Sequence, residues 1–238
     1  MKRKVAAVVA LTTLAVLLLP SPASAGQTAE QRIMDQVWGL KAQLYTYDLE
    51  VQPDIHHAFT ASHVYMWRNY DDAFPFCESG VYRGAGAGSH PIDTDHPRYY
   101  VAWGDYVNSY QEEDASSVPE IGTYKYYRVK LDEYDSITQM GTWSVYYNDM
   151  STPVDTFSIW QMPAAHAVCG GEVSGSSGTV LKAHGIPDVH IRKQDGNTYD
   201  WNETNFPSTW KHLQYQSWTL AWPNSPDYQT FTASGTKP

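Results

Sequence analysis

The feature that most constrains the fold of this chain is a series of short segments rich in Val, Tyr, Trp and Thr. Examples are RYYVAWG, TWSVYYND and YQSWTLAW, and clusters of Gly, Pro, Asp, Asn and Ser separate them. β-branched and aromatic side chains suit the half-buried surface of a sheet, and the intervening residues favour turns. Because strand-like segments do not alternate with helix-like ones, a parallel α/β fold is not expected. The pattern predicts an all-β fold, an antiparallel β-sandwich of the jelly-roll or concanavalin-like type.

Residues 1–25 have the features of a secretory signal peptide. A basic start, MKRK, precedes the apolar run VAAVVALTTLAVLLL, and PSPASA ends in small residues. This order is typical of an exported chain that is cleaved, here after Ala25. We therefore expect a secreted, extracellular protein whose mature chain begins at Gly26.

Residues 26–50 are predicted to form a short N-terminal helical segment. Within residues 27–44, Thr28 can cap a first turn, and apolar residues recur at helical spacing. These apolar residues are Ile33, Val37, Leu40 and Leu44. Because no linker or internal repeat divides the rest of the chain, residues 51–238 are expected to form a single β-sandwich domain.

The chain is acidic, with 16 Lys and Arg residues against 26 Asp and Glu residues and a formal charge of −10. Loss of Lys2, Arg3 and Lys4 with the signal peptide leaves 13 basic residues, so the formal charge becomes −13. A chain of this charge repels nucleic acid and anionic membranes, and neither is an expected partner. We expect the protein to be a monomer and to need no cofactor.

The chain contains two cysteines, Cys77 and Cys169. In an exported protein an even number of cysteines favours a disulfide, and two are too few for a structural zinc site. A disulfide requires that the two Cα atoms lie within about 7 Å of each other. We therefore expect the two strands that carry these cysteines to be close in space.

Each cysteine is accompanied by a glutamate at an odd spacing. In FPFCESGVYRG, Glu78 follows Cys77, and in AVCGGEVSG, Glu172 follows Cys169 by three positions. Residues at odd spacing on a strand point to opposite faces, so a disulfide on one face would place both glutamates together on the other. The glycines expected to keep that face open are Gly80, Gly170 and Gly171. The alternatives are a bulge at the glycine pair, or two ordinary exposed glutamates.

Two neighbouring carboxyl groups have a chemistry that a single one lacks. They do not both ionise easily, so one retains a proton while the other acts as a base, and the pair titrates as a unit. This arrangement suits a hydrolase that works at acid pH. Glu78 and Glu172 are therefore the candidate catalytic residues.

Four segments together resemble the glutamic peptidases, a β-sandwich family with neprosin-type and eqolisin members. They are HVYMWRN, CESGVYRG, PRYYVAWGDY and AVCGGEV. At the position of Glu78 the neprosin-type enzymes carry glutamate and the eqolisins glutamine. The resemblance implies a polypeptide substrate, and a polysaccharide is the alternative. It also implies that one glutamate, as carboxylate, takes a proton from the attacking water molecule. The other glutamate, as acid, then hydrogen-bonds the carbonyl oxygen and helps the nitrogen leave, without an acyl-enzyme. The resemblance also makes Trp67, Tyr99 and Trp103 the candidate substrate-binding residues, each of which could instead belong to the core.

Other functions remain open from the sequence. A jelly-roll glycoside hydrolase also places two carboxylates across an aromatic cleft. A non-catalytic carbohydrate-binding or surface β-sandwich would use the aromatic residues for binding and leave the glutamates incidental. The histidines around IHHAF, among them His63, match no standard metal-site spacing and are interpreted as solvated loop residues, so no metal site is predicted.

Overall fold

The computed structural model describes residues 27–48, 51, 59–68, 75–84, 93–114, 118–148, 151–175, 179–185 and 188–238. Within these residues the chain forms two antiparallel sheets and no helix, which confirms the predicted all-β sandwich.

The first sheet has seven strands. Their spatial order is β14 (Trp210–Leu213), β1 (Gln27–Val37), β10 (Ala165–Ser174), β3 (Phe59–Trp67), β4 (Phe76–Gly84), β5 (Asp93–Asp105) and β6 (Ser109–Asp114). The second sheet has nine strands. The spatial order of its main path is β15 (Thr219–Ala221), β16 (Phe231–Thr236), β11 (Val180–Gly185), β2 (Gly39–Tyr45), β7 (Tyr124–Asp135), β8 (Met140–Tyr147) and β9 (Asp155–Trp160). Two short strands lie off this path: β12 (His190–Arg192) pairs with β2, and β13 (Thr198–Asp200) pairs with β12.

The core lies between the two sheets and is built from alternate residues of each strand. In β10, Ala167, Cys169 and Val173 point into the core, whereas Val168 belongs to a separate apolar cluster on the outer face of the first sheet. The largest fully buried side chains include Trp143, Trp201, Tyr127, Phe206 and Phe231. Because each large aromatic side chain buries about 150–250 Å², these residues dominate the apolar stabilisation of the sandwich.

The predicted N-terminal helix is wrong. Residues 27–45 instead contribute β1 to the first sheet and β2 to the second, so the sandwich includes residues before position 51. The pairing of β1 with β10 is irregular between Ile33 and Val37, and β1 ends before β2 begins in the other sheet. Because of these two interruptions, apolar residues three and four positions apart in the sequence can all face the core. The same spacing is expected for one face of a helix. These apolar residues are Ile33, Val37, Leu40 and Leu44.

The predicted disulfide is also wrong, because Cys77 and Cys169 are free, buried thiols. They lie on β4 and β10, and β3 runs between these two strands. Neighbouring strands are about 4.8 Å apart, so two such spacings exceed the separation that a disulfide can bridge. Both thiols nevertheless point into the core, on the face that the sequence predicted for them.

The predicted signal peptide, residues 1–25, lies outside the described residues. In the part of the chain that the structure describes, there is no helix with the length and apolar character needed to span a bilayer.

Candidate active site

The centre of the first sheet carries a polar cluster on its outer face, where β1, β10, β3 and β4 lie side by side. Residues that pair directly across antiparallel strands project to the same face. One such row consists of Glu30, Gly170, His63 and Gly80, and it continues to Tyr100 on β5. Because glycines flank His63 on both neighbouring strands, its ring has room for side chains that approach from farther away.

Glu78 and Glu172 both lie on this outer face. Glu78 pairs with Tyr65 and Glu172 pairs with Ala61, so the two glutamates lie on either side of His63 along β3. They are also on opposite sides of β3, since one is on β4 and the other on β10. The structure therefore places them on a common face, related diagonally across His63 rather than side by side on adjacent strands.

His63 is in contact with acidic residues through both of its ring nitrogens. Its Nε2 lies 2.9 Å from Oε1 of Glu30, and its Nδ1 lies 3.5 Å from Oε2 of Glu78. The same Nδ1 is 3.4 Å from the hydroxyl oxygen of Tyr100. The prediction of a solvated loop histidine is wrong, because His63 is part of β3 and is only 2% exposed.

Arg32 binds the other oxygen of the Glu30 carboxylate. Its Nε and Nη2 donate to Oε2 of Glu30 at 2.9 and 2.7 Å. The guanidinium also lies over the rings of Trp67 and Trp210, 5.1 and 5.7 Å from their centroids. Glu30 is thus held between two cationic groups, one on each oxygen, and these contacts offset the cost of burying its charge.

The two glycines of the Gly-Gly-Glu segment serve opposite faces of the sheet. A Cβ on Gly170 would lie 2.5 Å from the Ala29 carbonyl oxygen and 2.8 Å from Cγ of Glu30, so glycine here allows Glu30 to cross β10 towards His63. A Cβ on Gly171 would instead meet Ala183 of the second sheet at 3.1 Å. Gly80 and Gly170 therefore lie on the predicted open face, whereas Gly171 faces the core, contrary to the prediction.

The charges within the cluster lower the pKa of Glu30 and raise the pKa of His63. Burial would raise the pKa of Glu30, but the charge of Arg32 and the hydrogen bond from His63 lower it to about 2. Burial would lower the pKa of His63, but the hydrogen bond and charge of Glu30, together with Glu78 and Glu172, raise it to about 9. At neutral pH, Glu30 is therefore a carboxylate and His63 an imidazolium.

Glu78 has the opposite character to Glu30. Burial raises its pKa to about 8, the positive charge of His63 opposes that rise, and the charges of Glu172 and Glu112 add to it. Glu78 is 8% exposed, so it is desolvated yet still reaches the surface. It holds a proton at acid and neutral pH, as a general acid must.

Tyrosines surround the two glutamates and remain protonated hydrogen-bond donors. Burial, followed by the charge of Glu78, raises the pKa values of Tyr65 and Tyr100 well above the usual range, and Glu172 contributes to both. The Tyr110 hydroxyl donates to Oε2 of Glu112 at 2.6 Å. Glu78 and Glu172 thus lie near the same tyrosines, on the outer face that the strand pairing gives to both.

The three predicted substrate-binding residues do not lie together. Trp67 is on the outer face, where its ring packs at 6.1 Å from Tyr65. Tyr99 and Trp103 point into the core, where Tyr99 stacks on Tyr147 at 4.4 Å and Trp103 on Phe157 at 5.1 Å. The assignment of Tyr99 and Trp103 to the substrate surface is therefore corrected, while the role of Trp67 stays a prediction.

Sequence reasoning missed Glu30, Arg32 and Tyr100 and misjudged His63. Glu30 and Arg32 were hidden by the false helix, since only a strand places both on one face of a sheet. A usable signal for His63 was its alternation with Tyr65 and Trp67, which marks one face of β3. Among the described residues, no group of three His, Cys, Asp or Glu side chains is arranged to hold a metal ion.

The fold is similar to that of glutamic peptidases. Scytalidoglutamic peptidase with a transition-state analogue inhibitor aligns over 88% of this chain and 98% of its own, with a TM-score of 0.55 and 8% identity. SCP-B, a member of the eqolisin family solved with the tripeptide Ala-Ile-His, aligns over 90% and 98%, with a TM-score of 0.53 and 8% identity. No family model and no curated protein matches the sequence. The chain thus has a glutamic peptidase-like β-sandwich fold, and similarity to the neprosin-type enzymes stays a prediction.

Proposed function

We propose that this protein is a secreted endopeptidase that acts at acid pH and hydrolyses peptide bonds with Glu78 and Glu172. The observation that carries the proposal is the placement of these two glutamates on one sheet face, on either side of the buried His63. The similarity of the fold to that of glutamic peptidases supports it.

The two glutamates have different roles in this proposal. Glu78, which retains its proton up to a pH of about 8, is the general acid and donates to the carbonyl oxygen of the scissile bond. Glu172 is the general base and takes a proton from the water that attacks the carbonyl carbon. In the second step Glu172 passes its proton to the departing nitrogen, and Glu78 regains one from the intermediate. No bond to the protein forms at any stage.

A polypeptide is the substrate that best suits this surface. SCP-B was solved in complex with a tripeptide. In this protein, aromatic side chains such as Tyr65 and Trp67 lie on the same outer face as the two glutamates. A main chain in extended conformation presents alternating carbonyl groups and side chains, so it could reach Glu78 and Glu172 while its side chains pack on the aromatic residues.

The proposal is tested with denatured casein between pH 2 and pH 7. We expect digestion that resists pepstatin and chelators, and a loss of at least about 100-fold in rate for Glu78→Gln and for Glu172→Gln. Glutamine keeps the size and polarity of glutamate but cannot exchange the proton. Glu113→Gln, at an exposed position on β6, is the matched control and should retain full activity.

Three outcomes would contradict the proposal. If the wild-type protein leaves casein intact but shortens β-glucan or xylan, the protein is a glycoside hydrolase. If it cleaves neither polymer but binds one, it is a binding module. If the two glutamine variants remain as active as Glu113→Gln, the hydrolysis depends on other residues.

A further inference from the structure

The buried pair of Glu30 and His63 lies beside the proposed general acid but outside the proposed chemistry. Both side chains are almost completely buried, Glu30 at 3% and His63 at 2% exposure. A buried ion pair is rarely a net gain in stability over apolar packing, so its presence calls for another explanation. The explanation must account for Nδ1 of His63, which points away from Glu30 towards Glu78.

We propose that His63 is a positioning residue for Glu78: an imidazolium, fixed by Glu30, that orients the Glu78 carboxyl group and stabilises the carboxylate formed when Glu78 gives up its proton. This inference rests on the proposed function, because it assigns Glu78 the role of the acid. It adds to that function a group that takes no part in bond making or breaking.

The geometry accounts for each part of this role. Glu30 accepts a hydrogen bond from Nε2 at 2.9 Å, which fixes the plane of the ring. The second proton of the imidazolium is then on Nδ1. Arg32 occupies the remaining oxygen of Glu30, so Glu30 cannot turn away from the imidazole. Nδ1 then faces two oxygen atoms, the Tyr100 hydroxyl at 3.4 Å and Oε2 of Glu78 at 3.5 Å, and the second separation can shorten once Glu78 is negatively charged.

The surrounding groups leave His63 as the cation closest to Glu78 among the contacts described. The groups that face the histidine are Glu30 and Arg32 on β1, Glu172 on β10, Glu78 on β4, Tyr65 on β3 and Tyr100 on β5. Arg32 binds Glu30. His212 lies opposite Glu30 in the register of β14 with β1, and three strands separate β14 from β4, which carries Glu78. Without the imidazolium, the carboxylate of Glu78 would form in a buried site that also contains the charges of Glu172 and Glu112.

The test compares His63→Gln with the double variant Glu30→Gln/His63→Gln and with His184→Gln. Glutamine at position 63 can still donate to Glu30 but carries no charge. In the single variant Arg32 still pairs with Glu30, so the buried carboxylate keeps a partner. The double variant also removes that carboxylate and leaves the partly exposed Arg32 as the remaining cation, and it serves as the second variant if the single one fails to fold. His184→Gln replaces a half-buried histidine of the second sheet and is the matched control.

We expect both variants at position 63 to lower kcat about 10- to 100-fold, less than the loss of a direct transition-state donor, with little change in KM. The alkaline limb of the pH–rate profile should move to higher pH, because loss of the imidazolium makes Glu78 hold its proton more tightly. A merely structural role would not shift that limb. An unchanged kcat or an unchanged limb would overturn the inference.

A measurement that needs no activity separates this inference from the proposed function. ¹³C NMR of the Glu78 carboxyl group should show its titration midpoint at higher pH in the variants than in the wild type. ¹⁵N NMR should find both nitrogens of His63 protonated at pH 7. If the wild type cleaves no peptide but these shifts are seen, the peptidase proposal fails while the coupling of His63 to Glu78 stands. A neutral His63, or equal Glu78 midpoints, would refute the coupling itself.

Discussion

Nε2 of His63 lies 2.9 Å from Oε1 of Glu30, although 33 positions separate the two residues in the sequence. The contact spans β10, because Glu30 is on β1 and His63 is on β3. It is possible only because Gly170, the residue between them, has no side chain. The pair therefore links three central strands, and its charges influence both the pH dependence and the stability of the protein.

The stability of the protein should change with pH as the Glu78 carboxyl group titrates. Its pKa is raised in the folded state from 4.5 to about 8, so its contribution to stability is complete below pH 4.5 and is lost as pH rises through 8. Glutamine does not titrate, so the free energy of unfolding of Glu78→Gln should rise relative to that of the wild type between pH 4.5 and pH 8. The gain should be a few kcal/mol, as one pKa unit is worth about 1.4 kcal/mol.

Chemical denaturation at pH 4.5, 6, 7 and 8 measures this difference. Glu113→Gln serves as control and should run parallel to the wild type. A constant difference between Glu78→Gln and wild type across the four pH values would mean that Glu78 titrates normally.

Glu30 should make the stability of the protein depend on pH in the opposite direction to Glu78. The pKa of Glu30 falls from 4.5 to about 2 on folding, so its contribution is present above pH 4.5 and is lost as pH falls towards 2. His63, with its pKa raised from 6.5 to about 9, stabilises fully below pH 6.5 and loses its effect as pH rises through 9. The double variant Glu30→Gln/His63→Gln should therefore lack both losses. Thermal unfolding from pH 2 to 9 would detect them in the wild type, and identical profiles would disprove the linkage.

The cysteines should behave as inert thiols. Burial raises the pKa values of Cys77 and Cys169 well above the usual range, and neither residue is exposed. We expect a thiol reagent at pH 8 to modify neither residue in the native protein and both after unfolding in guanidinium. Peptide mapping without reduction should find no bridge between them, and detection of one would show that the arrangement of β4 and β10 differs from this structure.

Gly170→Ala should disturb the site more than Gly171→Ala. The new methyl at position 170 would approach backbone atoms of β1 at 2.5 Å, whereas at position 171 its nearest contact is 3.0 Å, to the Ala61 carbonyl oxygen. We expect a destabilisation of about 1–3 kcal/mol for Gly170→Ala, with loss of the protonated state of His63 at pH 7. Urea unfolding and ¹⁵N NMR of the imidazole measure both effects. A variant with wild-type stability and a protonated His63 would contradict the close packing of β1 on β10.

Trp67 and Trp103 provide a test of which aromatic residues meet the substrate. Trp67→Leu should raise KM for peptides, since the ring lies on the outer face beside Tyr65. Trp103→Leu should instead reduce stability by up to about 3 kcal/mol through the loss of its stacking on Phe157, and leave KM unchanged at temperatures where it is folded. Equal KM values for Trp67→Leu and the wild type would remove Trp67 from the substrate surface.

The sequence predicted the fold class because strand composition and turn residues are local signals. It failed at residues 27–44, where the bulge after Ile33 and the passage of the chain between sheets produced spacings that also fit a helix. Local periodicity cannot distinguish these two cases, since it contains no information on which strands pair.

The glutamates illustrate a different limit of prediction. The odd spacing of Glu78 from Cys77 and of Glu172 from Cys169 placed the glutamates on one face once both cysteines were assigned to the other, because spacing parity holds on any regular strand. The assumed disulfide, however, required the two strands to lie close enough for a bridge, whereas β3 separates them. The central residue of the site, His63, comes from that intervening strand and from a pairing that no local pattern specifies.

The link from Glu30 across Gly170 to His63 also bears on how the strands find their alignment. A slip of β10 by one residue would turn Glu172 towards the core and Cys169 towards the surface. A slip in one direction would also bring Cys169 between Glu30 and His63, where a Cβ meets the backbone of β1, whereas a slip in the other direction would bring Gly171 there. A slipped β10 would therefore bury the Glu172 carboxylate in the core, and a slip that brings in Cys169 would also separate Glu30 from His63, at a cost of several kcal/mol per ion. The polar cluster thus discriminates against the wrong strand registers during folding, whatever chemistry it performs afterwards.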